Sequence, residues 1–335
     1  MIDFIMHPVF LWIVGFILVS GILMWIASYF VASYCIYYCT LRRRKNAWGR
    51  EMPADITDLQ KKMYESGVEW SLENQDFKKD VHIFNNGANL YGEYYDFGKK
   101  RCAVVLSGRT ESLVYGYYFA IPYAKNDCNI LVLDPRSHGL SDGEFNTVGF
   151  EESKDAIAWV KYIKSTYGIC SFVFHGICIG AATGMLALNS PDCPDCIDGI
   201  VTEGMFPNFR ESMKNHMIEK KKPVFITIDL VDKWMMHYTG HSMKFGPIDI
   251  IEKINTPLLM LHSKEDLYST PEYAKKLFIL SGAENKNLVW FEHGAHSMLR
   301  ITDTKLYDKA ISNFLSGLPI REEAEVDDIK ALRLG

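Results

Sequence analysis

Phe172-Val173-Phe174-His175-Gly176-Ile177-Cys178-Ile179-Gly180-Ala181-Ala182-Thr183 is the stretch on which the reading of this chain turns. An apolar, strand-like run meets Gly-x-Cys-x-Gly, and small residues suited to a tightly packed helix follow. The pattern is that of a nucleophile elbow with cysteine where serine usually stands. A nucleophile held on a sharp strand-to-helix turn has a strained backbone. Side chains two residues to either side would collide with the neighbouring strand and helix, and Gly176 and Gly180 remove those collisions. The positive end of the following helix favours a thiolate and a developing oxyanion at Cys178.

Working outward, the rest of the chain alternates short apolar strands with amphipathic helices. Strands are predicted at Cys102–Leu106, Ile130–Leu133, Phe172–His175, Ile200–Thr202, Leu258–His262 and Leu288–Phe291. Helices are predicted at Tyr115–Lys125, Glu151–Thr166, Ala181–Asn189, Pro271–Leu280 and Asp303–Leu315. Ahead of them, Val81–Phe84 and Leu90–Tyr95 flank Asn85-Asn86-Gly87, a hairpin signal. This alternation predicts an α/β fold with a mostly parallel, doubly wound sheet opened by an antiparallel hairpin. Residues 205–255 interrupt the pattern with a Met-, Phe-, Trp- and Lys-rich insertion between two sheet strands. It is expected to form a cap over the strand C-terminal ends, where ligands bind in such sheets. An ordinary helical crossover is the alternative. Phe206, Phe225, Trp234, Met235 and Met236 are candidates for an acyl pocket under that cap, or for plain packing.

The N-terminal part has a different character. No charged side chain occurs from Val9 to Thr40. As a helix this run would extend roughly 48 Å, against about 30 Å of bilayer hydrocarbon. It either spans with tilt, or spans and continues along the interface. Tyr29, Tyr34, Tyr37 and Tyr38 gather towards its end as interfacial aromatics do. The n-region of a cleaved signal peptide is missing, so residues 1–45 are expected to be a single-pass transmembrane anchor with a basic juxtamembrane segment. Arg42, Arg43, Arg44, Lys45 and Arg50 follow the span and none precedes it. That asymmetry places the domain in the cytoplasm and makes the lipid bilayer, through residues 9–40, the expected partner. Residues 46–80 read as a connector with a helical look around Ile56–Ser66, and 319–335 as a charged tail.

Composition closes off several alternatives. Hydrophobic residues make up 48% of the 335, enough for a packed core, and the net charge of -5 gives no reason to expect a nucleic-acid partner. The eight cysteines are scattered, so reduced thiols are the simpler assumption. Cys35 and Cys39 fit either palmitoylation or an apolar phase. Cys193-Pro194-Asp195-Cys196 has no second pair at zinc-finger spacing and reads as loop cysteines. No metal or cofactor is expected, and oligomeric state is left open.

Four further motifs follow the order that an elbow enzyme requires. In Leu106-Ser107-Gly108-Arg109-Thr110-Glu111-Ser112, a glycine turn leaving a strand can aim the Arg109 N–H at the reacting centre. With the Ile179 N–H it would form an oxyanion hole. Asp134-Pro135-Arg136-Ser137-His138-Gly139-Leu140-Ser141-Asp142-Gly143 is a loop held by internal hydrogen bonds, with His138 structural. Ser263-Lys264-Glu265-Asp266 follows a strand, and spacing favours Asp266 over Glu265 as the carboxylate that orients an imidazole. Glu292-His293-Gly294-Ala295-His296-Ser297 ends the last strand. His296 is the candidate base and His293 the second choice.

Taken together, Val81 to Leu315 resembles an α/β-hydrolase of the lysophospholipase and monoacylglycerol-lipase-like, or serine aminopeptidase-like, group. Ser-Gly-Arg-Thr-Glu-Ser resembles the Gly-Arg-x-Glu-Ser oxyanion segment of bacterial lysophospholipases. The Asp134–Ser141 loop resembles the group's Asp-x-Arg-Gly-His-Gly-x-Ser. Two departures stand out: Ser107-Gly108 replaces the usual His-Gly, and Cys178 replaces the serine. Cysteine at the elbow resembles dienelactone hydrolases, polyhydroxyalkanoate synthases and bile-acid-CoA N-acyltransferases. The resemblance implies acyl-ester or thioester hydrolysis through Cys178, His296 and Asp266 on a small acyl substrate. Acyl transfer to an amine or hydroxyl, or a non-catalytic tethered scaffold, are the alternatives.

Overall fold

The computed structural model describes residues 8–43, 48–52 and 56–321. Arg44, Lys45 and the tail beyond Arg321 lie outside the described residues. Among the described residues, eight strands form one sheet in the order β1-β2-β4-β3-β5-β6-β7-β8. They are β1 (Lys78–Asn85), β2 (Ala88–Tyr95), β3 (Arg101–Leu106), β4 (Cys128–Leu133), β5 (Ser171–Ile177), β6 (Ile197–Glu203), β7 (Leu258–Ser263) and β8 (Lys286–Phe291). β2 is antiparallel to β1 and β4, and every other pairing is parallel. The opening hairpin turns on Asn86 and Gly87, both left-handed, with φ of 43° and 75°. That is the mirror-image turn whose twist suits flanking strands, which is why Asn-Gly marks it in the sequence.

The crossovers supply α3 (Leu113–Ala124), α4 (Phe150–Tyr167), α5 (Ile179–Leu188) and α8 (Pro271–Leu280), and the short α9 (Leu299–Thr302) and α10 (Thr304–Ser316) follow β8. The central strands β3 to β7 are buried along their whole length. Helices on both faces account for this, and for near-continuous apolar strand sequences without alternation. Between β6 and β7 lie α6 (Phe209–Glu219) and α7 (Thr227–Thr239), the helices of the 205–255 segment.

Two elements precede the sheet. The connector holds α2 (Asp58–Glu73), capped by Thr57 and Gln60 reciprocally, which runs a full two turns beyond the expected helical stretch. Its Gly67 lies against α3 so closely that a Cβ there would be 2.9 Å from the Tyr118 backbone N. The long apolar helix is α1 (Pro8–Leu41), long and apolar enough to cross a membrane. Its exposed stretch, Pro8–Val31, is about 36 Å long at 1.5 Å per residue. Beyond it Ser33, Tyr37 and Leu41 recur every fourth residue on one buried face.

That face packs on α7. Trp234 Nε1 donates to Ser33 Oγ at 3.1 Å, the Tyr34 and Trp234 rings meet at 5.2 Å, and Tyr37 stacks on Tyr238 at 5.5 Å. The end of α1 is then tied to the 139–146 loop. Arg43 donates to the Gly139 and Ser141 carbonyls, Asn146 N to the Leu41 carbonyl, and Arg42 pairs with Glu144. Tyr37 and Leu41 thus join Ile179, Phe206, Phe209, Met213, Ile228 and Met235 in a third apolar cluster beside the two faces of the sheet. At the other end of the domain Pro319 and Arg321 are docked, accepting from Arg101 and pairing with Asp198, so the start of the tail is part of the domain.

Candidate active site

Cys178 sits between β5 and α5 with φ 55° and ψ −111°, a backbone that a side-chain-bearing residue adopts only under constraint. The constraint is visible on both sides. A Cβ on Gly176 would lie 2.5 Å from the Ala181 backbone, and one on Gly180 would lie 1.9 Å from the Leu106 carbonyl oxygen. The first glycine lets α5 fold back over the strand, and the second lets α5 touch β3. The Cys178 N–H donates to the Glu203 carbonyl at 2.9 Å, which fixes the elbow to β6.

His296 lies in the loop after β8 and Asp266 in the loop after β7. His296 Nδ1 and Asp266 Oδ2 are 2.7 Å apart. The other oxygen, Oδ1, accepts the N–H groups of Tyr268 and Ser269, both at 2.9 Å, so the carboxylate cannot rotate freely. Gly204, with φ 62°, leaves room for the ring, since a Cβ there would be 2.8 Å from His296 Cε1. The opposite ring nitrogen, Nε2, is buried and without a hydrogen-bond partner among the described residues. Burial pulls the His296 pKa down, but Asp266 and then the neighbouring Cys178 outweigh it and hold it well above the usual histidine value. Burial likewise pushes Asp266 up, and the charge and hydrogen bond of His296, with the Ser269 N–H, bring it below the usual carboxylate value. Glu265 and His293 pair with each other at 2.9 Å on the surface instead.

The turn carrying Arg109 is pinned on several sides. Gly108 N–H donates to Glu111 Oε2 at 2.9 Å, and His138 Nε2 meets the Arg109 carbonyl at 2.6 Å. The other His138 nitrogen faces the Arg136 carbonyl at 3.0 Å, and the ring stacks on Trp48 at 4.6 Å. Burial lowers the His138 pKa, and the carbonyls of Arg136 and Arg109 oppose that shift. Asp134, buried under the same loop, accepts from Arg50, Leu113 and Leu140. The Arg109 guanidinium reaches away from the loop and donates to the carbonyl of Thr40, in the last turn of α1, at 3.0 Å. The end of the long apolar helix is therefore bonded to the segment that would stabilise an oxyanion.

One cavity of about 270 Å³ joins these groups. Cys178, His296 and Arg109 line it, with Thr40 of α1, Gln60 and Met63 of α2, and Phe209, Met213 and His216 of α6. Burial and then the charge of Arg109 pull His216 down to about 4, so it faces the cavity as a neutral ring at neutral pH. None of the five residues read as candidates for an acyl pocket lines this cavity. Phe206 and Met235 are fully enclosed in the third cluster, and Trp234 is turned towards α1. Phe225 and Met236 point outward to the surface. The positions of α6 and α1 are set by tertiary packing, so hydrophobicity alone could not tell the lining face of the 205–255 helices from their packing face.

A second polar network under the elbow carries no sequence motif. Tyr123 Oη meets His175 Nδ1 at 2.7 Å, His175 Nε2 meets Tyr307 Oη at 3.2 Å, and Tyr307 donates to Glu203 Oε2 at 2.6 Å. Burial holds His175 down at about 3, so it is neutral, accepting from Tyr123 and donating to Tyr307. Glu203 Oε1 accepts the Leu299 N–H at 3.0 Å, and burial pushes its carboxyl up to about 7. Glu203 therefore ties the elbow, through its carbonyl, to the segment just past His296, through its side chain. A charged residue ending an apolar strand, Thr202-Glu203-Gly204, was the available signal. Among the described residues no group of three or more His, Cys, Asp or Glu is placed to hold a metal ion, and all eight cysteines are free.

No known family profile matches the sequence. The chain is 27% identical over 193 residues to the uncharacterised protein YqkD of Bacillus subtilis, across 57% of this chain and 63% of that one. It is 26% identical over 168 residues to the lysophosphatidylserine lipase ABHD12 of Danio rerio, across 48% and 41%. The protein ABHD12B of Homo sapiens is 27% identical over 198 residues, across 56% and 52%. The match thus spans about half the length of these relatives. Among solved structures, an esterase of Pyrococcus furiosus superposes with a TM-score of 0.62 at 20% identity, covering 74% of this chain and 94% of that one. An alpha-beta hydrolase of Vibrio vulnificus gives 0.57 at 18%, covering 82% and 99%. The chain has the α/β-hydrolase fold.

Proposed function

We propose that this chain is a membrane-anchored hydrolase of acyl esters or thioesters with a cysteine nucleophile. One observation carries the reading: a strained Cys178 and a carboxylate-oriented His296 share a single cavity of about 270 Å³. In the proposed reaction His296 takes the Cys178 proton and the sulfur attacks the acyl carbonyl. The N–H groups of Ile179 and Arg109 stabilise the tetrahedral oxyanion, each donor being worth about 3 kcal/mol of barrier. Collapse breaks the carbonyl bond to the leaving oxygen or sulfur, which His296 protonates. Water, deprotonated by His296, then attacks the acyl-enzyme, breaks the carbon–sulfur bond and returns the proton to Cys178. Asp266 orients the imidazole and stabilises its cationic form throughout.

The substrate class follows from the anchor reading. A site whose wall includes Thr40 of α1 meets lysolipids and other acyl lipids at high local concentration, and the relative in Danio rerio is named as a lysophosphatidylserine lipase. The basic residues after α1 favour a cytoplasmic domain. Arg42 and Arg43 are bonded within the folded chain, but orientation is decided during insertion, before those bonds form.

The test is turnover of short p-nitrophenyl esters and acyl-CoA thioesters by the full chain in detergent, with intact-mass detection of an acyl adduct. Cys178→Ala is expected to abolish both turnover and adduct. Iodoacetamide is expected to label Cys178 faster than Cys35, Cys39 and Cys170 between pH 5 and 9. Equal labelling, with no adduct, would sink the thiolate mechanism and leave the scaffold reading. An adduct that partitions to an added amine or alcohol in preference to water would redirect the proposal to acyl transfer.

A further inference from the structure

The segment that joins the two cap helices has no part in the site. It reads Lys220-Lys221-Lys222-Pro223-Val224-Phe225-Ile226, three consecutive cations followed by an apolar tip. Phe225 is 77% exposed and Ile226 41%. This is not a slack loop. Lys220, Lys221 and Lys222 donate backbone bonds to the carbonyls of His216, Ile218 and Met217, and Ile228 and Leu230 donate back to Val224 and Ile226. Lys221 and Ile226 are left-handed, at φ 53° and 61°, a conformation unfavourable for a β-branched residue. The fold therefore holds a large ring and a branched aliphatic side chain out towards the surroundings.

The direction of α7 says where they are held. Trp234 meets Ser33 and Tyr34, and Tyr238, one turn later, meets Tyr37, one turn later on α1. The contacts advance together, so the two helices run in the same direction where they touch. Following α7 back towards its N-terminus therefore leads back along α1 from its docked end to its exposed apolar stretch. Thr227 begins α7 about 10 Å before Trp234, at 1.5 Å per residue, and Phe225 lies just beyond it. The apolar tip is thus on the side of the domain from which Pro8–Val31 projects.

We propose that Lys220–Ile226 is a second membrane contact, in which Phe225 and Ile226 enter an anionic bilayer beside α1 while the three lysines lie at its headgroups. The proposal rests on the anchor reading of α1. An apolar tip flanked by cations suits an anionic lipid surface, whose charge attracts each nearby lysine and whose acyl region accepts the side chains. Among the described residues, only Lys220 of the three has a carboxylate partner, Glu219, on the same helix end. The contact also reaches the chemistry. α6 runs straight from the cavity wall formed by Phe209, Met213 and His216 to these lysines, so bilayer contact sets the position of one wall of the site.

Three measurements on the full chain in vesicles of phosphatidylcholine, with or without phosphatidylglycerol, test it. Flotation after an alkaline carbonate wash checks α1. If the protein fails to float, the anchor reading falls and this proposal with it. With Phe225→Trp, the emission gained over the parent protein is expected to be quenched by lipids brominated in the acyl chain and protected from aqueous iodide. A floating protein whose added emission is quenched by iodide and not by bromolipid overturns the loop contact alone. Replacing Lys220, Lys221 and Lys222 by Gln is expected to weaken the loop's partition into anionic vesicles by roughly fivefold per lysine and leave that into neutral vesicles unchanged. Equal effects in both lipids would overturn the anionic preference. Finally, Phe225→Asp is expected to slow turnover of a vesicle-borne ester about tenfold while sparing a soluble short ester, as follows from moving one buried aromatic back to water. Equal losses on both substrates would mean that the loop acts on the fold and not at the bilayer.

Discussion

Asp266 is held by two backbone N–H groups on one oxygen and faces His296 with the other. That asymmetry decides what an amide would do there. In Asp266→Asn the Tyr268 and Ser269 donors keep the amide oxygen at their side and turn the NH2 towards His296 Nδ1. The ring must then accept at Nδ1 and carry its proton on Nε2, next to Cys178, where it cannot act as a base. A loss of about 10²–10⁴ in kcat/KM is expected from the wrong tautomer and the missing charge. The pH profile gives a second readout. Asp266 holds the His296 pKa above its usual value, so the limb that reports loss of the imidazolium lies above about 6.5 in the parent and moves down in the variant. The stability sign is consistent. The raised His296 pKa contributes stability that is fully present below about 6.5 and is lost as pH rises through the folded value. The lowered Asp266 pKa loses the same interaction as pH falls through its own folded value. Chemical denaturation across pH should show the difference between parent and Asp266→Asn only between those two limits.

At the scale of elements, the elbow geometry is possible because α5 touches β3 through a glycine. Gly180→Ala would put its methyl 1.9 Å from the Leu106 carbonyl oxygen. Both atoms belong to rigid elements in a packed interior, so neither can give way cheaply. The variant is expected to lose at least about 3 kcal/mol of stability, or to be recovered only as aggregate, and a thermal melt beside the parent checks it. Such contacts were legible in advance, because Gly-x-Cys-x-Gly has one geometry that needs both glycines. The hairpin at Asn86-Gly87 was legible for the same reason. The full length of α2 was not. Its second half, from Gly67 to Glu73, is helical because Gly67 and Trp70 are buried against α3 and β2, contacts between segments distant in sequence.

For the whole molecule, the long apolar helix is not a leash. Its last turns fill the third cluster, and its Thr40 carbonyl receives Arg109 and lines the cavity. A chain starting at Trp48 would lose the burial of Tyr37 and Leu41, about 4 kcal/mol at roughly 2 kcal/mol for each large apolar side chain. It would also leave the Arg109 guanidinium without its carbonyl. Urea unfolding is expected to show a lower midpoint, and soluble esters a reduced kcat/KM. A truncated domain as stable and as active as the full chain would contradict the packing described for α1.

Local covalent rules and hydrophobic period were enough, from sequence, for the alternating strands and helices, the strand-to-helix turn at Cys178, the uncharged span, and the chain order of Cys178, Asp266 and His296. Choosing between Glu265 and Asp266, and between His293 and His296, needed spacing in the sequence and loop geometry in three dimensions. The structure brings Asp266 to His296 and leaves the other two paired on the surface. Tertiary packing was needed to show which face of α6 lines the cavity, that Glu203 ties the elbow to the histidine segment, and that α1 ends at the cavity wall. Those facts depend on how helices far apart in the chain pack together, and an apolar residue is equally apolar whether it faces a cavity, a neighbouring helix or a bilayer.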